Sequence, residues 1–341
     1  MSNLLNTVAA RKWVSEAMLR HSNGIFGTVV PAVIWADVRG DDGKLVVPVD
    51  PQILVDEINS TPYALLHGHD PGRPKGKILE CANFETEDGR RFIAAVFGYY
   101  AGGSVLNFRG LGCDAEELAL PPAVLPALPD SAWIDFAADP REVDEEWSMR
   151  ATSDAPLPVT RARLSHNAAD SVNELIRVGV PYLLLVWNPL ITAIASEIGK
   201  GTYAAFKTWL QKLLDKLAER RDPILSLDSH QGDCDVSFLL RGKDVGQLYA
   251  ANEALSDAAA QAARLIAKLK ERGTAARQLV YEFDKGACKW YPSYAVLNDD
   301  RIVTDNVELI AIENLPSNLS LGLNLGKPSA PVVSDALDDG G

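Results

Sequence analysis

Residues Leu65–Lys77, LLHGHDPGRPKGK, bring two histidines, one aspartate and three basic side chains into one short stretch. In an extended strand side chains two apart share a face, so His67 and His69 point the same way. Asp70 then opens a turn, Asp70-Pro71-Gly72-Arg73-Pro74, in which the prolines fix the backbone and Gly72 admits an unusual angle. Gly76 lets the chain approach a neighbour closely before the next strand starts. Two histidines on one face are the beginning of a metal site, but such a site needs a third ligand, and the sequence supplies no obvious one. The HxHxDH pattern of metallohydrolases is also broken, because positions 71 and 72 are proline and glycine. The structural alternative is that His69-Asp70 caps the turn through side-chain-to-backbone bonds.

Other chemistry-bearing residues are sparser. His230 lies in Asp228-Ser229-His230-Gln231-Gly232-Asp233-Cys234-Asp235, whose aspartates could meet a hard cation. The spacing and the missing terminal glutamate exclude the EF-hand calcium loop, so a solvated hairpin turn is expected there. Cys234 has no neighbouring cation to favour a thiolate. Cys81, Cys113, Cys234 and Cys288 lie far apart without paired ligand spacing, which suits buried free thiols in a reducing compartment. Neither GxxxxGK[ST] nor GxGxxG occurs. No metal and no cofactor is therefore expected.

The elements that must position these residues follow from periodicity. Residues 3–20 read as a helix with Leu4, Leu5, Val8, Trp13, Val14, Met18 and Leu19 on one side. Phe26–Val38 reads as a strand, Gly40-Asp41-Asp42-Gly43 as a turn and Lys44–Val49 as a second strand. Asp50-Pro51 starts a helix that stops before Thr61-Pro62. Tyr63–His67 is a further strand, and Lys77–Phe84 pairs with Arg91–Gly98 about Glu87-Asp88-Gly89. The expected class is α+β. An N-terminal helix over 1–22 precedes a small β-rich domain over 23–117. A linker over 118–150 follows, marked by Pro121, Pro122, Pro126, Pro129 and the acidic run Glu142–Glu146.

Residues 151–221 are expected to be helical. Val178–Ser196 runs without a charge for the length of a membrane span, though Pro181, Asn188 and Pro189 interrupt it. Tyr203, Phe206, Trp209, Leu210, Leu213, Leu214 and Leu217 then make an apolar stripe, with Lys200, Lys207, Lys212 and Lys216 off it. Such a helix either packs on a core or lies on an anionic membrane surface. Residues 222–325 are expected to form an α+β sandwich: strands Pro223–Asp228 and Asp235–Arg241, one long helix Asp244–Arg272, strand Gln278–Phe283 and a closing hairpin. Residues 326–341 lack periodicity and read as a disordered tail.

Tyr63–Glu80, YALLHGHDPGRPKGKILE, resembles the histidine-bearing segment of phage prohead maturation proteases. There an NHD-x-x-x-P-x-GK pattern leads into a strand and an acidic-glycine hairpin. His69, Asp70, Pro74, Gly76 and Lys77 fall in register and Asp88-Gly89 supplies the hairpin, while Gly68 stands where the pattern has asparagine. The resemblance implies an assemblin-like β-barrel serine protease, whose serine typically lies in S-[IL]-G-[FL]. Asn318-Leu319-Ser320-Leu321-Gly322-Leu323 contains that motif, much later in the chain than the family's serine. Ser104 is nearer but lacks the glycine two residues on. The resemblance thus implies His69 as general base, Ser320 as nucleophile and His67 or Asp70 orienting the base. A protein substrate would be cleaved through an acyl-enzyme without metal.

A formal net charge of −13 sets aside general nucleic-acid binding, which needs a concentrated basic surface. The N-terminus has no signal-peptide apolar core, so a cytoplasmic location is expected. It would be peripheral to or inserted in the inner membrane if 178–217 meets lipid. The leading expectation is a binding or interaction protein of bacterial or prophage type, built on a protease-like β domain, with a protein partner. A serine endopeptidase acting on a protein substrate and a membrane-associated effector are the alternatives. Oligomeric state stays open.

Overall fold

A computed structural model describes residues 4–60, 63–67, 70–113, 133–138, 143–163, 182–186, 200–220 and 223–312. The chain is α+β, with two sheets among the described residues. The smaller sheet is antiparallel and contains β1 (Thr28–Ala36), β2 (Ala64–Leu66), β3 (Pro74–Glu85) and β4 (Arg91–Tyr99), in the order β1-β4-β3-β2. Among the described residues β1 and β2 lie at its edges. The β3–β4 hairpin turns at Gly89, whose φ of +80° explains the glycine after Asp88. Helix α1 (Val8–Arg20) turns Ala10, Val14 and Ala17 inward and leaves Val8 and Leu19 exposed, so the apolar side expected there is only partly used. Helix α2 (Pro51–Ser60) starts where Asp50 accepts the Gln52 N–H at 2.8 Å, as an N-terminal aspartate should.

Among the described residues the larger sheet has nine strands. They are β5 (Val105–Leu106), β6 (Ile134–Ala138), β7 (Val159–Arg163), β8 (Tyr182–Val186), β9 (Ile224–Gln231), β10 (Cys234–Arg241), β11 (Ala276–Asp284), β12 (Lys289–Leu297) and β13 (Ile302–Val303). Their order is β5-β13-β12-β11-β10-β9-β8-β6-β7. Three parallel pairs are joined through helices: β6 to β7 through α3 (Glu145–Thr152), β8 to β9 through α4 (Lys200–Ala218), and β10 to β11 through α5 (Val245–Glu253) and α6 (Leu255–Glu271). These helices share one apolar core with one face of the sheet, including Trp147, Phe206, Leu210, Leu214, Leu255, Leu265, Phe238 and Tyr281.

The opposite face of the large sheet meets the small one. Leu239, Val280, Tyr294, Val296 and Ile302 pack against Phe26, Leu79, Val96 and Tyr100. On the far side of the small sheet, Leu54, Val55 and Ile58 of α2 cover Ile34, Ile78, Ile93 and Phe97. The layers therefore run helix, sheet, sheet, helices. β5, contributed from beside the small sheet, pairs in parallel with β13 and joins the two layers through the backbone.

Several expectations change. Within 118–150, expected as linker, β6 and α3 take part in the large sheet and its helical layer. Within the charge-free run 178–196, expected to be helical, Tyr182–Val186 is a strand paired on both sides. A continuous apolar run bounded by prolines suits a central strand as well as a helix, because such strands lack alternation. The strand expected over Lys44–Val49 reduces to a single bridge from Leu45 to Arg39, since Pro48 removes a donor from the run. The single helix expected over Asp244–Arg272 breaks at Ala254, between α5 and α6. The apolar stripe of α4 is spent on the core: Phe206, Trp209, Leu210, Leu213, Leu214 and Leu217 are all buried against the sheet. Lys207 and Lys212 pair with Glu253 and Asp154. Among the described residues no helix is long and apolar enough to cross a membrane.

Candidate functional site

The histidine turn joins β2 to β3. Its backbone closes on itself through His67 N–H to Arg73 O (2.9 Å), Asp70 N–H to His67 O (3.1 Å) and Arg73 N–H to Asp70 O (2.9 Å). The Asp70 carboxylate accepts the Gly72 N–H at 2.9 Å, the local capping that an aspartate before Pro-Gly favours. His67 is exposed. Gly68, His69 and Ser320 lie outside the described residues.

What holds this turn comes from far along the chain. Arg241, at the end of β10, donates to both Asp70 oxygens at 2.9 and 2.6 Å and to Glu282 of β11 through Nε and Nη2 at 3.1 and 2.8 Å. Glu282 also accepts from Arg73 (3.3 Å), Tyr291 (3.2 Å) and Ser293 (3.3 Å). The Tyr294 hydroxyl donates to Pro71 O at 2.7 Å, and a Cβ at Gly72 would run into Glu282 and Arg241. Every residue from Asp70 to Arg73 is thus met by the second sheet. Burial alone would raise the Asp70 carboxyl, but the bonds and charge of Arg241, the Gly72 N–H and Arg73 hold it below the usual carboxylate range. Burial likewise disfavours charge on Arg241, and the two carboxylates overcome it.

The residues in register with the prohead-protease pattern have structural work of their own. Gly76 sits where a Cβ would strike the Gly98 carbonyl of β4. The buried Lys77 ammonium reaches Asp300 at 2.7 Å, next to Arg277. Burial lowers the Lys77 pKa, and the Asp300 contact only partly offsets this. Asp300 holds a φ of +71° in the turn between β12 and β13, a conformation that aspartate tolerates better than most residues. Charged clusters containing Asp70 and Lys77 accompany the apolar contact between the sheets.

A second polar group occupies β9 and β10. The loop expected over Asp228–Asp235 is mostly strand, reversed at Gly232 and Asp233, with Gly232 at φ +63°. Register places Asp228 opposite Ser237 and His230 opposite Asp235. Ser226 donates to Asp228 at 2.5 Å, and His230 pairs through Nδ1 with Asp235. Burial pushes the Asp228 carboxyl up to about 6, against the hydroxyls of Ser226 and Ser237. The Asp235 bond raises His230. Among the described residues no three His, Cys, Asp or Glu side chains gather as a metal site.

Of the residues singled out in the sequence, Asp70 is placed in a network and His67 at the surface. Lys75, one residue past the turn, donates from its ammonium to Ala311 O. Arg241 and Glu282 were not foreseen. Their signal was a charge at the end of one apolar strand and inside another, Phe-Leu-Leu-Arg241 and Val-Tyr-Glu282-Phe. A buried charge requires a partner. No family model, curated protein or solved structure matches the chain.

Proposed function

We propose that this chain is a binding or interaction protein whose histidine turn docks one sheet on another and does not serve a reaction. The observation that carries this reading is the engagement of both Asp70 oxygens by Arg241. An orienting carboxylate acts by accepting from the imidazole and stabilising its charged form. Asp70 spends its charge on a guanidinium instead. The partner class is protein, and the N-terminal layer is presented on the larger sheet as a fixed surface.

The endopeptidase of prohead-protease type is the second reading, and the Lys75–Ala311 contact favours it. Ser320 lies eight positions beyond Ile312, and an extended chain of that length spans up to about 28 Å. The histidine turn ends at Pro74, next to Lys75, so the described chain leading toward Ser320 passes beside the described end of that turn. A fluorophosphonate probe decides between the readings. The full chain is expected to remain unlabelled; labelling that disappears in both Ser320→Ala and His69→Ala would establish the protease.

A further inference from the structure

We draw no further inference here: the strongest candidate, the Ser226, Asp228, His230, Asp235 and Ser237 cluster on the β9–β10 hairpin, already satisfies its polar groups internally and aims no unpartnered buried side chain at a ligand.

Discussion

Replacing Arg241 with methionine removes the guanidinium and keeps an aliphatic stem of similar reach. In the native protein the Asp70 and Glu282 side chains are 14% and 6% exposed, and each takes two bonds from Arg241. The substitution leaves two neighbouring carboxylates without their shared cation. Removing one partner of a buried ion pair costs about 3–5 kcal/mol. Here Glu282 keeps Arg73, Tyr291 and Ser293, and Asp70 keeps the Gly72 N–H, so the low end of about 3 kcal/mol applies. Urea unfolding followed by tryptophan fluorescence at pH 7 reads it. With an m-value of about 3 kcal/mol/M the midpoint falls by roughly 1 M.

The pH matters to this measurement. Asp70 has a depressed folded pKa, so its contribution is present above the unfolded value near ~4 and is lost as pH falls through the folded one. A double-mutant cycle with Asp70→Asn should return a coupling of about 1–3 kcal/mol. A loss under about 1 kcal/mol that shrinks further in salt is the behaviour of an exposed pair. That result would refute the claim that this network fastens the two sheets.

Two other outcomes test different layers. Asp228, with its carboxyl raised to about 6, contributes stability below the unfolded value that is lost as pH rises toward 6. Asp228→Asn should therefore stabilise the protein by about 1–3 kcal/mol at pH 8 and by far less at pH 4; an equal effect at both would show that burial does not set its proton affinity. Leu214 of α4 is fully buried, so Leu214→Lys should cost several kcal/mol and yield little folded protein. The native chain should stay in the supernatant with anionic vesicles, and salt-sensitive sedimentation of folded protein would revive the membrane reading.

A helix start and a tight turn appear where their local signals put them. Asp50-Pro51 and Asp88-Gly89 specify a helix start and a hairpin through groups a few residues apart, and both occur at those positions. The stripe of α4 marked a buried face, although periodicity alone does not say what covers it. Tyr182–Val186 was misread because a central strand and a helix segment present the same charge-free run. The strand order of the large sheet was not legible at all, since β5 reaches β13 across nearly two hundred positions and no local pattern records that pairing. The same holds for the candidate site. The Asp70 turn was visible from its prolines and glycine, whereas Arg241 and Glu282 showed only as charges in apolar strands, without partners.

A short pattern of histidine, aspartate, proline, glycine and lysine can serve a reaction or a packed turn. Asp70 separates the two, because a carboxylate offers about four acceptor sites and three of them are taken by Gly72 and Arg241. The adjacent guanidinium also cancels the charge that would otherwise favour an imidazolium. Docking of the turn and orientation of His69 by Asp70 are therefore competing uses of one side chain. Arg241→Met separates them. If the protease reading is right, freeing Asp70 should increase phosphonate labelling of Ser320 in the fraction that stays folded, and His69→Ala should abolish the increase. If the turn serves docking alone, the variant loses stability and gains no labelling. A gain in labelling that survives His69→Ala would mean that weakening the sheet contact had exposed an unrelated serine, and the competition argued for Asp70 would fail.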